Sequence, residues 1–478
     1  MYKYKITIYS TITAVCLLLI GCKMPAVSSA VANNAALPDS FQKSLDTVNM
    51  SSVTWKKYFK DPYLVQLIDT ALVRNQELLI TLQEVEMAKN DIRIRKGELL
   101  PSVGIGAGAS VEKVGRYTSQ GAGDATTEIM PGMEFPEPLT DFRVAAYAHW
   151  EIDVWKKLRS AKKAAISRYL ATIEGKNFVI TNLISEIAMS YYELKSYDNQ
   201  LEIVRQNIEL QKNALEIVKA QKEAARSTEL AVQKFQAEVF SSQHREFDLL
   251  QAIKETENKI NFLLGRYPVA IPRDKVTLST LPAPFVQAGI PAQLLANRPD
   301  IKQAELELAA AKLDVKVARA EFYPSLGISA SYGVQAFRTK YLFQTPESLL
   351  YSFAGDIAAP LINRNAIKAE YKNANARQIQ ALYNYQRTIL NAYMEVSNQL
   401  SKIGNLEKSY QLKSQQVEAL NRSISASNEL FAAARVDYFE VLMTQRDALE
   451  TQLELVETKK EQLNATVQVY RDLGGGWK

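Results

Sequence analysis

One segment of the chain occurs twice, and both copies carry apolar residues at seven-residue intervals. The copies span residues 225–265 and 434–474, a constant offset of 209. The two apolar rows are Val232, Val239, Ile253 and Ile260, with Glu246 interrupting, and Leu442, Leu449, Val456, Leu463 and Tyr470, without interruption. A strict period of seven keeps one apolar seam against a partner only when helices coil around each other. Each copy therefore predicts one arm of a long coiled hairpin.

Two long stretches contain almost no residues that break helices. No proline occurs between Pro138 and Pro268 or after Pro360, and both stretches are rich in Ala, Leu, Glu, Gln and Lys. Such sequences are strongly helical. A helix of roughly 65 residues is about 100 Å long, a length that suits a tube or a spacer better than a compact globule.

A second repeat precedes each long helical stretch. Pro101 and Gly104 match Pro324 and Gly327 at an offset of 223. The predicted strands are Ser102–Val111, Phe142–Asp153, Ser325–Phe337 and Leu350–Leu361. Lys113–Asp141, which contains several Gly, Pro and Thr, is predicted to be a surface loop. Each half therefore follows the order helix, strand, loop, strand, long helix, turn, helix.

The predicted strands have the length of membrane-crossing strands. A tilted strand needs about ten residues to cross a bilayer, and weak alternation is normal for outer-membrane strands. Four strands leave two open edges, which lipid does not tolerate. The chain is therefore expected to share a barrel with copies of itself. Two chains would form a plugged eight-stranded barrel, and three would form a twelve-stranded barrel with a lumen.

Charge and cysteine content exclude several classes of protein. Lys and Arg number 57 against 52 Asp and Glu, a net charge of +5, and loss of Lys3 and Lys5 with a leader lowers it to +3. That is too mild to indicate nucleic-acid binding. Both cysteines lie within the first 22 residues, and the only histidines are His149 and His244. Disulfides and thiol catalysis are therefore excluded from the body of the chain, and no metal site is expected.

Residues 1–21 are typical of a secretory signal, with Lys3 and Lys5 before a short apolar run. The run ends in Leu19-Ile20-Gly21-Cys22, which resembles a bacterial lipobox with Cys22 as the lipid-bearing first residue. The alternative is an ordinary signal peptide with a chance cysteine. By resemblance to proteobacterial lipoproteins, Lys23 favours sorting to the outer membrane. Residues 22–50 have no clear period and are predicted to form a lipid-anchored tether.

The sequence contains no recognisable catalytic motif. The glycine spacing of Gly104-Ile105-Gly106-Ala107-Gly108 does not fit a nucleotide-binding loop, and the repeat partner Gly327-Ile328-Ser329 lacks the pattern. Small residues on a packed strand are the better interpretation. There is also no Gly-x-Ser-x-Gly elbow and no His-based triad. The chain is therefore expected to be no enzyme and to need no cofactor.

Short motifs follow one another in a fixed order after residue 50. They are Trp55…Tyr58-Phe59…Asp61-Pro62, Trp150-Glu151-Ile152-Asp153, Asn297-Arg298-Pro299-Asp300-Ile301, Phe322-Tyr323-Pro324, Val436-Asp437-Tyr438…Glu440-Val441-Leu442 and Leu473-Gly474-Gly475-Gly476-Trp477. Each is weak alone, but together they resemble the TolC-like outer membrane efflux family. The resemblance is to the lipoprotein channels (NodT-type) of tripartite resistance-nodulation-division pumps in particular.

The resemblance implies a mainly α fold with a small β part, in two efflux repeats at 51–280 and 281–478. Long coiled helical hairpins and four transmembrane strands per chain would build a shared 12-stranded barrel and a 12-helix tunnel in a homotrimer. The function implied is a passive exit duct for drugs, toxic small molecules or ions. Its partners would be a periplasmic adaptor and an inner-membrane resistance-nodulation-division transporter. A type I protein secretion channel and a lipid-anchored coiled-coil scaffold without a pore remain alternatives.

The resemblance also implies a channel constriction at Glu440, which matches the family position whose carboxylates line the narrow periplasmic end of the tunnel. An acidic ring there would select cations and close the pore, and its members would titrate as a coupled set. The alternative is a solvated glutamate that favours the positive end of its helix. Arg435, Asp437 and Asp447 are candidate gating neighbours, or ordinary surface charges.

Two departures from the family pattern are visible near the hairpin tips. Met443 replaces a second family acid, so that the constriction is expected to have one acidic ring. Ala225 and Ala434 stand where the family usually has glycine. A slightly different turn explains the alanines, and no functional meaning is attached to them.

Overall fold

The computed structural model describes residues 25–26, 29, 37–41, 48–274, 277–281, 286–362, 364–433 and 435–477. The predicted signal peptide, the predicted lipidation site Cys22 and most of the tether lie outside these residues. The chain divides into two compact units. The sheet unit comprises Met1–Val31, Met87–Leu170 and Leu306–Leu382, and the hairpin unit comprises Ala32–Glu86, Ala171–Glu305 and Tyr383–Lys478. Each unit therefore draws segments from both halves of the sequence.

Helices make up most of the described chain. They are α1 (Trp55–Tyr58), α2 (Pro62–Arg74), α3 (Gln76–Gly97), α4 (Ser119–Asp124), α5 (Lys157–Glu223), α6 (Glu229–Leu263), α7 (Gln293–Asn297), α8 (Pro299–Ala320), α9 (Asn365–Ala432) and α10 (Tyr438–Asp472), with short 3-10 turns at Met50–Ser52, Leu278–Thr280 and Thr339–Tyr341. The long helices α5 and α9 have 67 and 68 residues, which confirms the predicted length. Over the described residues, no helix has the length and apolar character that a membrane span needs.

The seven-residue apolar rows form the buried sides of the shorter hairpin helices. The fully buried members are Val232, Val239, Ile260, Leu449, Val456, Leu463 and Tyr470, whereas Leu442 is half-buried. Burying one such side chain contributes roughly 1.5–3 kcal/mol. The prediction of a coiled hairpin built twice is therefore confirmed, and burial along these seams contributes to its stability.

Four long strands form one antiparallel sheet in the order β1-β4-β5-β6. They are β1 (Ser102–Glu112), β4 (Leu139–Glu151), β5 (Ser325–Ala336) and β6 (Leu349–Ala358), and β2 (Glu128–Met130) pairs separately with β3 (Met133–Glu134). All four predicted strands are confirmed, with bounds that differ by up to three residues. The predicted loop Lys113–Asp141 also contains α4 and the β2–β3 hairpin, and its last residues belong to β4.

Each half of the chain closes on a glycine in the left-handed backbone region. Gly265 has φ +63°, and a Cβ atom there would lie 2.3 Å from the carbonyl oxygen of Arg74. Gly474 has φ +85°, and a Cβ atom there would lie 2.5 Å from the carbonyl oxygen of Asn297. The two glycines match at the offset of 209, and Arg74 and Asn297 match at 223. The sequence repeat therefore extends to tertiary contacts between distant segments.

The residue after each of these carbonyl groups bonds the end of the last helix in its half. The Asn75 amide donates to the carbonyl of Leu263 at 2.9 Å, and the Arg298 guanidinium donates to the carbonyl of Asp472 at 2.9 Å. Both carbonyl groups lie in the last turn of a helix, where no backbone partner remains. These bonds fix where the short helices α2 and α8 meet the ends of the hairpins.

We expect Gly474→Ala to lower the apparent melting temperature of the detergent-solubilised protein. An L-residue in the left-handed region lowers the free energy of unfolding by about 1–2 kcal/mol. The added methyl group would also overlap the Asn297 carbonyl. Gly404→Ala is the matched control, since Gly404 lies inside α9 with no atom within 4 Å of a Cβ. The free energy of unfolding of the control should rise by about 0.5–1 kcal/mol. An unchanged melting temperature in Gly474→Ala would contradict this account of the joint.

Candidate functional site

The strand register sorts the residues of the sheet onto two faces. Successive residues of a strand point to opposite faces, and the register aligns Ile105, Ala146, Tyr332 and Tyr351 in one row. The residues that share this face are Val103, Ile105, Ala107, Ala109, Val111, Thr140, Phe142, Val144, Ala146, Ala148, Trp150, Leu326, Ile328, Ala330, Tyr332, Val334, Ala336, Leu349, Tyr351, Phe353, Gly355 and Ile357. This apolar face carries no charged side chain, although many of its large residues are exposed.

The opposite face of the sheet carries the polar interactions. The Gln335 amide donates to both carboxylate oxygens of Asp141 at 2.9 Å. The Arg143 guanidinium lies 5.0 Å from the centre of the Tyr147 ring. A Cβ atom at Gly106 would lie 3.0 Å from the same ring, so a small residue is needed there. In the glycine-rich run of β1, Gly106 therefore makes room for the Tyr147 ring, whereas a Cβ atom at Gly104 or Gly108 would meet no atom within 4 Å.

The two faces have the dimensions of a membrane wall. The four strands have 10 to 13 residues. At about 3.3 Å per residue and a tilt of roughly 40°, such strands rise about 25–33 Å. The lipid-facing apolar band of outer-membrane proteins is about 25 Å tall. An uncharged face of this height can contact hydrocarbon while the polar face contacts water.

The first hairpin tip, between α5 and α6, is closed by local side-chain contacts. The Thr228 hydroxyl accepts a hydrogen bond from the backbone N–H of Ala231 at 3.2 Å and so caps α6. Glu229 is paired with Lys222, and the hydrogen bond from that lysine holds the pKa of Glu229 below its usual range. Ala225 adopts φ +57°, a conformation that explains why the family usually has glycine there.

At the second tip, between α9 and α10, the described residues make no equivalent contacts. Asp437 is the N-cap of α10, but its side chain makes no capping hydrogen bond. Glu440 lies in the first turn and is exposed. Its repeat equivalent, 209 positions earlier, is Ala231, which is fully buried at 0% exposure. The two hairpins therefore differ at this position, and only the second presents a free carboxylate.

The candidate gating residues are exposed but do not pair with each other. Within the part of the chain that the structure describes, no ion pair joins Arg435 to Asp437, Glu440 or Asp447. The carboxylate of Asp447 instead lies 3.8 Å from its neighbour Arg446. Glu440 and Asp447 are seven residues apart and share one side of α10. Any pairing of these groups across the tips would have to involve other chains.

Two buried charge clusters in the hairpin unit escaped the sequence analysis. Lys195, with 1% of its side chain exposed, pairs with Asp274 and lies 3.8 Å from Asp61, and the Tyr191 hydroxyl donates to Asp61 at 2.7 Å. Buried charges need such partners. Lys195 lies among other polar residues of α5, such as Glu193 and Asp198, so nothing in the local sequence marks it as buried. The partners come from distant parts of the chain, so local patterns do not reveal them.

The second cluster joins two of the sequence motifs. Arg298 pairs with Asp300 at 2.7 Å and with Glu395 at 2.9 Å, and Asp472 accepts from the Arg471 guanidinium. Burial raises the pKa of Asp472, and the nearby Arg471 opposes this shift only in part. These motifs marked the family, but their role is structural, since they hold α8 against the end of α10.

Comparisons with known proteins agree with this geometry. The family model described as "Outer membrane efflux protein" matches residues 67–266 and 290–475. The pyoverdine export outer membrane protein OpmQ of Pseudomonas aeruginosa is 30% identical over 89% of this chain and 87% of its own length. The probable outer membrane lipoprotein SilC of Salmonella typhimurium is 28% identical over 100% of both chains. The family assignment thus spans both repeats.

Solved structures share the fold at lower identity. The MtrE outer membrane channel of Neisseria gonorrhoeae in its open state has a TM-score of 0.81 at 22% identity, over 95% of this chain and 98% of that one. The CusC structure gives 0.80 at 23% identity with the same coverage. Both structures match this chain over nearly its whole length, so the chain shares the fold of these channel structures. The chain belongs to the outer membrane efflux protein family and is an outer membrane component of an efflux system.

Proposed function

We propose that this chain forms the passive exit duct of a tripartite efflux pump, with three copies around one lumen. The observation that carries the proposal is the division of the sheet into an apolar face without charged residues and a polar face. A wall of this kind separates lipid from water. Because no nucleotide-binding motif is present in the sequence, the energy for transport is assigned to an inner-membrane transporter.

The open edges of the sheet support assembly with other copies. The sheet ends at β1 on one side and at β6 on the other, and each edge strand leaves a row of backbone N–H and C=O groups unpaired. In hydrocarbon each such group costs several kcal/mol. Pairing β1 of one chain with β6 of the next removes every edge. Three chains then give twelve strands, enough for a lumen.

The partners and cargo follow from the same proposal. A duct in the outer membrane needs a periplasmic adaptor and a resistance-nodulation-division transporter to load it. The relatives are named for pyoverdine export, for toluene efflux and for cation efflux. Because relatives of comparable similarity carry such different cargo names, we assign the choice of cargo mainly to the pump. Drugs, toxic small molecules and ions remain the proposed classes.

A lipid anchor at Cys22 completes the proposed arrangement. The lipobox-like Leu19-Ile20-Gly21-Cys22 supports it, as does the similarity to SilC, which is named an outer membrane lipoprotein. Buried acyl chains contribute about 0.8 kcal/mol per methylene. The anchor would hold the N-terminus of each copy at the membrane that the strands cross.

We expect Ile105→Lys to reduce assembly of the protein in the outer membrane, and Gly104→Lys to be tolerated. Ile105 is 84% exposed on the apolar face, where a lysine near the bilayer centre costs about 2–4 kcal/mol. Gly104 is its neighbour on the polar face, and a Cβ there meets no atom within 4 Å. The yield of heat-modifiable oligomer in purified outer membranes measures the difference. Equal yields for the two variants would contradict the assignment of the apolar face to lipid and the polar face to water.

Glu440 is proposed to form the acidic constriction of the duct. Its exposure supports this role, and so does the absence of an ion-pair partner among the described residues. A glutamate in the first turn is also favoured by the helix dipole, so stability alone would explain an acid at this position. Three free carboxylates around an axis would attract cations and repel anions, which stability alone does not require.

We expect Glu440→Gln to lower the cation-to-anion permeability ratio of the channel in a planar bilayer toward one. The substitution removes three charges from the ring while nearly preserving side-chain volume. Single-channel conductance and reversal potential in a salt gradient are the measurements. Glu229→Gln is the matched control, because Glu229 occupies the first turn of the other hairpin and is paired with Lys222.

The outcomes separate the competing hypotheses. Loss of selectivity in Glu440→Gln alone supports both the channel and its constriction. Conductance with identical selectivity in all three proteins supports the channel but returns Glu440 to an ordinary surface charge. Well-folded protein that never conducts would favour a lipid-anchored scaffold without a pore.

A further inference from the structure

Cations occupy matching positions before the first strand of each half. Arg93 and Lys96 lie at the end of α3, which precedes β1, and Lys316 and Arg319 lie at the end of α8, which precedes β5. The two pairs match at the offset of 223, and all four side chains are exposed. Cations near the end of a helix are favoured by the helix dipole. These four positions therefore have a local explanation as well.

Cations also recur after the last strand of each half, where the helix dipole disfavours them. Arg159 and Lys163 lie in the first two turns of α5, and Lys368 and Lys372 lie in the first two turns of α9. They match at the offset of 209 and are exposed. Neither helix has an acidic residue in its first turn. At the start of α5 the Asp153 carboxylate accepts hydrogen bonds from the backbone N–H groups of Leu158 and Arg159. Helix starts normally attract acids, so the local helix dipole does not explain why cations recur at both starts.

These eight residues form what we call the basic collar: Arg93, Lys96, Arg159, Lys163, Lys316, Arg319, Lys368 and Lys372. Among the described residues, only Arg159 has a carboxylate within 4.0 Å, that of Asp153 at 3.5 Å. Of the carboxylates nearby, Glu151 pairs with Lys157 and Asp314 pairs with Arg168, whereas Glu321 is exposed and lies in no ion pair among the described residues. Seven of the eight collar cations therefore have no carboxylate within 4.0 Å among the described residues.

The collar lies at one end of the strands of the sheet. Strands β1 and β5 begin six residues after Lys96 and Arg319, whereas β4 and β6 end eight and ten residues before Arg159 and Lys368. In an antiparallel sheet, these two strand starts and two strand ends lie at the same end of the sheet. The collar therefore lies just beyond one end of the strands, at the limit of the apolar face and away from its middle.

Half-exposed aromatic residues lie at the same end of the strands. The Trp150 indole donates to the carbonyl of Leu99 at 3.1 Å, and the Trp155 indole donates to that of Pro324 at 2.6 Å. Trp155 also stacks on Tyr323, with ring centres 4.9 Å apart. Tryptophan and tyrosine with an apolar body and a bonded polar atom are typical of the boundary between lipid and water. The order of apolar face, aromatic residues and cations is the order of a bilayer leaflet.

We propose that the basic collar binds the anionic headgroups of phospholipids in the membrane leaflet on the helix side of the sheet. In the arrangement proposed above this is the periplasmic leaflet, so the inference rests on the sheet being embedded in the membrane. A headgroup layer is roughly 5–7 Å thick, and four residues of helix, from Arg159 to Lys163, rise about 6 Å. Phosphate groups in this layer supply negative charge to the collar cations that have no carboxylate partner among the described residues.

The test uses full-length protein reconstituted in bilayers that contain brominated phosphatidylglycerol or brominated phosphatidylcholine. Bromine quenches tryptophan fluorescence on contact, and Trp150 and Trp155 report from the collar. We expect phosphatidylglycerol to be preferred at least about fivefold at low salt, because each Lys or Arg at an anionic surface adds attraction. The preference should fall toward one at high salt through screening.

A charge-matched pair of variants assigns the preference to the collar. The collar variant combines Lys163→Gln, Arg319→Gln, Lys368→Gln and Lys372→Gln, and should bring the lipid preference close to one. The control combines Lys234→Gln, Arg245→Gln, Lys254→Gln and Lys408→Gln, four exposed cations of the hairpin unit, and should keep it. Conductance should persist in both variants.

Three results would overturn the inference. These are no lipid preference in the unmodified protein, an unchanged preference in the collar variant, or an equal loss in the control. A collar that faced the lumen would change ion selectivity and leave the quenching ratio unaltered, which also contradicts headgroup binding. If neither lipid quenches any tryptophan, the sheet is not embedded, and the proposed channel fails on separate grounds.

Discussion

Backbone hydrogen bonding in hydrocarbon is the constraint on which the rest of this molecule depends. The sheet has only four strands and two unpaired edges, and its apolar face carries no charge that could keep it in water. Such a sheet is stable in lipid only if its edges are paired. If the sheet is embedded as proposed, one chain cannot close a barrel by itself. The proposed assembly with other copies then follows from the strand count, before any contact between copies is considered.

The internal repeat determines how the chain meets this constraint. Each half supplies two long strands to the sheet, and one long and one shorter helix to its hairpin. Each half also ends at a glycine in the left-handed backbone conformation. Gly265 and Gly474 approach the backbone of Arg74 and Asn297 in the same way. Since these contacts are matched, the two halves join their hairpin ends to the preceding short helices in the same way. The halves differ in the loop after β1, which contains α4 and the β2–β3 hairpin, and in side chains, as at Ala231 and Glu440.

The periodic parts of the fold were predictable from sequence, and the tertiary contacts were not. Seven-residue spacing identified the buried seams, and the absence of breakers gave helices of the right length. The strands were found because the repeat placed Pro101 and Pro324 at equivalent starts. The pairing of Lys195 with Asp274, and of Arg298 with Glu395, joins residues far apart in sequence, which no local pattern encodes. The exposure of Glu440 likewise depends on which side of α10 packs inward.

The unequal tips have a consequence for symmetry. The two hairpins of one chain have similar backbones, but the first tip is capped by Thr228 and neutralised by the Lys222–Glu229 pair, whereas the second presents Asp437 and Glu440 unpaired among the described residues. In the proposed trimer, six hairpins would surround the axis, yet their charges would repeat only three times. A ring of six identical partner subunits placed on these tips would therefore meet two alternating chemical environments, and its members would have to bind in two different ways.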